Sequence, residues 1–223
     1  THPRSSAASD VYKRQGVNWH ELVKFCISNN INGFENLSLI PGSVGAAPIQ
    51  NIGAYGAEIS TLIDSINYFD INTHELKTIE NHECNFEYRN SSLKNNSFFI
   101  TSINFKTNLA NNINYEYKSI KSYIDNNSID KNLLSISSLS NIVCDIRSSI
   151  LPDPNKIFNA GSFFKNPIVK KSDISYSFFK SDNLITWEVD KTYVKVGAAR
   201  LIELVKDKII PSDNVSILSL IHI

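Results

Sequence analysis

Residues 41–56 read Pro-Gly-Ser-Val-Gly-Ala-Ala-Pro-Ile-Gln-Asn-Ile-Gly-Ala-Tyr-Gly, and the reading of this stretch decides the fold of the rest. It holds Gly42, Gly45, Gly53 and Gly56, four of the eight glycines in the chain, with Ser43, Ala46 and Ala47 between them. Side chains this small let the backbone approach a ligand closely and adopt positive φ. They also leave main-chain N–H groups able to face an anion. Apolar Val44, Ile49 and Ile52 interleave with Gln50 and Asn51, which is not the composition of a floppy linker. On the residues alone, a glycine-rich turn between two buried segments fits as well as a ligand site. The spacing matches neither the dinucleotide fingerprint nor the P-loop.

Upstream, Asn18-Trp19-His20-Glu21 has the form of a capping box. Trp19, Leu22, Val23, Cys26 and Ile27 then recur at helical spacing, so a helix is expected over 19–29, ended by a turn at Asn32-Gly33. Downstream, 57–62 is expected to continue as a short helical turn. From 64 to 107 the period shortens to that of strands: SINYFDI, LKTIE and SFFITSINFKT are rich in Ile, Phe, Tyr and Thr and separated by polar turns. A mostly antiparallel sheet follows, with a hairpin at Asn72-Thr73. The polar segment 108–112 is a candidate domain boundary. Helices are expected over 115–124 and 133–150, the second facing inward with Leu134, Ile136, Leu139, Ile142, Val143 and Ile146 and stopped by Leu151-Pro-Asp-Pro. Residues 159–169 read as loop and strand, and 194–207 begins extended and turns helical.

Bulk properties bound the function. A chain of 223 residues can bury a sizeable core, and 42% apolar with 20% charged residues is ordinary for a globular protein. With 22 basic and 22 acidic residues the formal charge is zero, so neither composition nor patterning implies a nucleic-acid partner. No apolar run has the length of a membrane span. Cys26, Cys84 and Cys144 are odd in number and far apart, which fits reduced thiols in a cytoplasm. The histidines lack metal-ligand spacing, and no metal is expected. Methionine is absent altogether, and residues 1–15 and 218–223 look like translated adapter or vector sequence. Both ends are therefore expected to be non-native and to contribute nothing to the fold, around an internal fragment.

The run ENLSLIPGSVGAAPIQNIGAYGAEI, residues 35–59, resembles the flavin-contacting loop of the UDP-N-acetylenolpyruvoylglucosamine reductase (MurB) family of cell-wall synthesis enzymes. Two later segments match in order. Residues 84–94 (CNFEYRNSSLK) resemble the family's arginine motif, and 159–169 (NAGSFFKNPIV) its serine motif. The resemblance spans about 16–206 and includes the class with a tyrosine loop. It implies an α+β fold: the second part of a flavin-binding domain over 16–107, then a partial substrate-binding domain over 108–217.

The implied reaction is NADPH-dependent reduction of UDP-N-acetylglucosamine enolpyruvate to UDP-N-acetylmuramate by a cytoplasmic, monomeric FAD enzyme. Pro41, Gly42, Gly45, Ala46, Ala47, Pro48, Asn51 and Gly53 would contact the flavin. Arg89 would stabilise the growing enolate charge, for which a guanidinium with paired donors is suited. Without the motif it reads as a surface ion pair. Ser162 would protonate the substrate carbon; without the motif it reads as a turn serine, since no elbow or His–Asp partnership surrounds it. Tyr55, Tyr117, Lys165 and Asn166 would contact substrate, although Tyr117 reads equally well as packing on the sheet.

Two departures stand out. Ile150 occupies the position of a family lysine that serves the diphosphate, leaving Arg147 or Lys156 to substitute, and Arg200 stands where an aromatic is commoner. The segments expected before residue 16 and after 206, including a catalytic glutamate, do not match. The alternative expectation is therefore an inactive fragment with at most weak flavin or UDP-sugar binding.

Overall fold

A computed structural model describes residues 11–14, 16–95, 97–106, 113–153, 156–157, 164–175 and 183–205. Its contacts divide the chain into two compact units, Thr1–Ser149 and Ile150–Ile223.

The first unit is built on a four-stranded antiparallel sheet. Strands β1 (Val11–Arg14), β4 (Ile63–Asp70), β5 (Glu75–Glu80) and β6 (Phe98–Phe105) lie in the order β1-β6-β4-β5. The hairpin joining β4 to β5 turns at 71–74, closed by His74 N–H donating to Asp70 O at 2.9 Å. Residues 11–14 correct the expectation that everything before residue 16 stays outside the fold. VYKR pairs with Ser102–Phe105 as an edge strand, and four residues are too few to register as a period.

Helix α1 (Trp19–Ser28) starts where the sequence puts it, because the Asn18 carboxamide oxygen accepts from the N–H groups of His20 and Glu21 at 2.9 and 3.3 Å. Its inward face is Trp19, Leu22, Val23 and Cys26. Trp19, Phe34 and Phe105 form a fully buried aromatic cluster, with centroids 5.3 to 6.5 Å apart. Burying such a ring contributes about 4–6 kcal/mol gross, at roughly 25 cal/mol per Å² over about 150–250 Å². An N-cap contributes about 1 kcal/mol. Packing therefore anchors the helix, and the cap sets its first residue.

Helices α2 (Lys118–Asn126) and α3 (Ile136–Ile150) follow. Both start about three residues later than the periodicity suggests. Before α2, the Asn114 side chain accepts from the N–H of Glu116, a local turn that competes with helix, and Tyr117 becomes the N-cap with extended backbone. Before α3, Lys131–Leu133 forms a separate 3₁₀ turn. Helix α3 buries Ile136, Leu139, Ser140, Ile142, Val143 and Ile146, close to the expected face, and ends at the Leu151-Pro-Asp-Pro stop.

The second unit contains a three-stranded antiparallel sheet. Strands β7 (Ile168–Lys170), β8 (Thr186–Glu188) and β9 (Tyr193–Val196) lie in the order β7-β9-β8, and helix α4 (Ala198–Val205) follows. Strand then helix over 194–205 agrees with the sequence reading.

Candidate functional site

The glycine stretch folds onto the first turn of α1. Val44 N–H donates to Val17 O at 2.8 Å, and Trp19 N–H donates to Gly42 O at 2.9 Å. Gly42 needs its glycine, since its φ is +121° and L side chains rarely adopt that value. Val44–Ala46 makes one 3₁₀ turn whose Val44 is buried, as are Ala47 and Pro48, while Pro41, Gly42 and Ala46 are exposed. The stretch therefore has an apolar underside and an open, nearly side-chain-free upper face.

The helical turn expected over 57–62 is present as a 3₁₀ turn at Ile59–Thr61, but its first two positions belong instead to the strand element of residues 53–58. Those residues form a minimal antiparallel hairpin, β2 (Gly53–Ala54) against β3 (Ala57–Glu58), with Gly53 opposite Glu58. Its two central residues, Tyr55 and Gly56, both have positive φ, +48° and +81°, the signature of a type I′ turn.

Arg89 meets this hairpin at its base. The residue sits in a tight turn between Glu87 and Asn90, with φ of +53°. Its guanidinium donates to the carbonyls of Asn51 and Gly53 and to the carboxylate of Glu58, the Asn51 and Glu58 contacts being 3.3 and 3.4 Å. A Cβ on Gly53 would lie 2.6 Å from Arg89 Nη1 and 2.8 Å from Ala57 O, so the guanidinium fills the space a side chain at 53 would need. Asn51, 1% exposed, ties the assembly from within. Its amide donates to Glu58 Oε2 at 2.9 Å and to Glu87 O at 3.0 Å, while its carbonyl oxygen accepts from Ser60 N–H at 3.1 Å.

A second cluster gathers at the hairpin tip. The rings of Tyr55 and Tyr117 meet edge to face at 5.5 Å. The Tyr55 phenol and the half-buried Arg147 guanidinium of α3 interact electrostatically. Burial pushes the Tyr55 phenol up from its ordinary value, with Arg147 pulling the other way. Burial likewise lowers the Arg147 guanidinium, against which Tyr55 acts. Arg147 Nε is buried with no hydrogen-bond partner, and among the described residues Arg147 forms no ion pair with a carboxylate. A half-buried cation whose Nε is buried and unpaired is costly unless an acceptor reaches it.

Asn36, a residue not singled out from the sequence, fixes the tip. It is 2% exposed, and its amide donates to Tyr55 O and Asn114 O, each at 2.8 Å. Asn36→Leu is expected to lower stability by about 2–4 kcal/mol, because two carbonyls lose their donor. Equilibrium urea unfolding checks this, and a loss below about 0.5 kcal/mol would contradict it. Glu58 was also missed. Its only sequence signal is a lone carboxylate just after the glycine stretch, which gains meaning once the hairpin sets it opposite Gly53.

In the second unit, the Asn166 side-chain oxygen accepts from Ala198 N–H at 2.9 Å, at the start of α4, and Lys165 is exposed. Arg200 donates through Nε to Asn183 O at 2.8 Å and pairs with Glu203 at 3.4 Å. Ser162 and its neighbours 158–163 lie outside the described residues. The structure therefore joins Arg89, Asn51 and Gly53 in one cluster, and Tyr55 and Tyr117 in another.

Comparisons with known proteins agree with the motifs. A family model described as an FAD binding domain matches residues 11–75. The UDP-N-acetylenolpyruvoylglucosamine reductase of Flavobacterium johnsoniae is 46% identical over 197 residues, covering 86% of this chain and 58% of that protein. The enzyme of the same name from Amoebophilus asiaticus is 41% identical over 191 residues, covering 84% of this chain and 56% of that protein. The chain thus spans rather more than half the length of these relatives. Among solved structures, the crystal structure of UDP-N-acetylenolpyruvylglucosamine reductase (MurB) from Thermus caldophilus superposes with a TM-score of 0.52 at 18% identity, covering 88% of this chain and 67% of that one. That likeness speaks for a shared α+β fold, and the identities with the curated relatives speak for kinship: the chain belongs to the UDP-N-acetylenolpyruvoylglucosamine reductase (MurB) family.

Proposed function

We propose that the protein carrying this chain reduces UDP-N-acetylglucosamine enolpyruvate to UDP-N-acetylmuramate, with FAD bound and NADPH as reductant. The observation that supports this reading is the seating of Arg89 on the carbonyls of Asn51 and Gly53, which joins the arginine motif to the glycine stretch. FAD supplies the hydride-transfer chemistry when bound. The residues fit it: Pro41, Gly42 and Ala46 offer an exposed face without bulky side chains, and a Cβ at Gly42 would meet nothing within 4 Å. Gly45 and Gly53 extend that face, and Ala47, Pro48 and Asn51, buried beneath it, support it.

The guanidinium of Arg89 stabilises the carboxylate of the substrate as enolate charge grows. Three of its five N–H groups hold the hairpin, which fixes the plane in which the others point. Ser162 delivers the proton to the substrate carbon as general acid. Tyr55 and Tyr117 cover the substrate, Arg147 takes the diphosphate charge in place of the lysine replaced by Ile150, and Lys165 and Asn166 add contacts. Residues 16–107 serve the flavin and 108–217 the substrate, and the protein works as a cytoplasmic monomer without nucleic-acid or membrane partners.

The test is NADPH oxidation by FAD-loaded protein as a function of UDP-N-acetylglucosamine enolpyruvate, for unmodified protein and Arg147→Ala. Substrate-dependent oxidation is expected, with KM raised about tenfold in the variant and kcat within about threefold. No oxidation by the unmodified protein would reject the reaction, and an unchanged KM would reject the role of Arg147.

A further inference from the structure

Glu58 is a carboxylate at the base of the hairpin with both oxygens engaged. Oε1 lies 3.4 Å from Arg89 Nη1, and Oε2 accepts from the Asn51 amide at 2.9 Å. Asn51 in turn is held by Glu87 O and Ser60 N–H. The carboxylate is thus oriented from one side by a buried amide and spends its other side on the guanidinium. Neither group is deeply buried, the side chains of Arg89 and Glu58 being 29% and 39% exposed, so the pair contributes little to stability as an ion pair. Geometry is the larger consequence. Arginine has four side-chain torsions, and the two carbonyls of Asn51 and Gly53 approach one edge of the guanidinium. The Glu58 carboxylate adds a third contact, which removes the remaining freedom to tilt about that edge.

We propose that Glu58 is the positioning residue of Arg89. It presents the free N–H groups of the guanidinium in the plane that a substrate carboxylate must meet. This rests on Arg89 being the substrate-activating arginine. Glu58 touches no substrate and acts only through Arg89. A guanidinium displaced by about 1 Å costs up to about 100-fold in rate, and because its work grows with the enolate charge the loss falls on kcat.

The experiment is a double-mutant cycle on the FAD-loaded full chain, with UDP-N-acetylglucosamine enolpyruvate and NADPH. Glu58→Ala is expected to lower kcat about 10- to 100-fold with KM within about threefold. Glu58→Gln, whose amide oxygen still accepts from Nη1 but whose NH2 replaces the acceptor of the Asn51 amide, is expected to recover only part of the lost kcat. In an Arg89→Ala background, Glu58→Ala should change kcat less than about twofold. An undiminished effect of Glu58→Ala in that background, or no effect in the unmodified one, would overturn the proposal. A readout independent of turnover is the rate of phenylglyoxal modification at Arg89 in ligand-free protein, followed by peptide mass spectrometry against Arg200 as internal reference. The rate should rise several-fold in Glu58→Ala and less in Glu58→Gln, which keeps one of the two contacts. An unchanged rate would overturn the clamp. If the unmodified protein shows no turnover, the proposed reaction fails, whereas the modification rates still decide the role of Glu58.

Discussion

Gly53→Ala is expected to lower turnover by at least about tenfold and to destabilise the protein by about 1–3 kcal/mol, as inserting a methyl group into filled space does. The added carbon would stand 2.6 Å from Arg89 Nη1 and 2.8 Å from Ala57 O. One of these neighbours is the end of a flexible side chain and can move; the other is the backbone of the paired strand and cannot move without opening the hairpin. The least costly relief is therefore expulsion of the guanidinium, which is why activity suffers more than stability. For a chain of this length the Tm should fall by roughly 2–12 °C. In an Arg89→Ala background the close contacts with Ala57 O at 2.8 Å and Glu58 Cγ at 3.0 Å remain, so the stability cost should shrink without vanishing. Differential scanning calorimetry on the four proteins of that cycle checks this. Full additivity of the two substitutions would mean that Gly53 does not accommodate Arg89.

Arg89→Ala is expected to lower kcat about 100- to 1,000-fold, the range seen when one preorganised donor to a developing oxyanion is removed. Arg89→Lys separates charge from geometry. Lysine keeps the charge but has no planar fork to bridge the carbonyls of Asn51 and Gly53 while facing an anion, so it should recover less than about a tenth of the lost rate. Removing Arg89 also leaves the buried Asn51 carbonyl without this donor, at about 1–3 kcal/mol. Urea unfolding of the same variants keeps that loss distinct from catalysis. Recovery to near-normal turnover by lysine would show that charge alone suffices.

Much of the fold was legible where a period is long enough to count. Helix α1 declares itself through Asn18 and five apolar positions at helical spacing, and strands β4 and β6 through eight-residue runs in which Ile, Phe, Tyr and Thr recur. Short elements escaped. The four residues of β1, the two-residue strands around Tyr55-Gly56 and the three exposed residues of β8 carry no detectable period; tertiary pairing creates them. The start of α2 was misread because the Asn114 side chain captures the N–H of Glu116, a local turn that leaves no mark on the apolar period. The site was legible as separate motifs only. Nothing in sequence spacing says that residue 89 reaches residue 53, since that contact is set by the register of Gly53 against Glu58 and by the turn at Glu87–Asn90. Asn36 and Glu58 were invisible for the same reason, being polar residues whose meaning lies in their partners.

The central claim, that Arg89 presented from the glycine hairpin acts on the enolpyruvate half of the reaction, is tested by measuring the two halves separately. NADPH is mixed anaerobically with the FAD-loaded protein while the visible flavin absorbance is followed, and UDP-N-acetylglucosamine enolpyruvate is added in a second mixing step. For Arg89→Ala, bleaching by NADPH should proceed within about threefold of the unmodified rate, while recovery of absorbance on adding substrate should slow about 100- to 1,000-fold. Equal slowing of both steps, or recovery at the unmodified rate, would contradict the account.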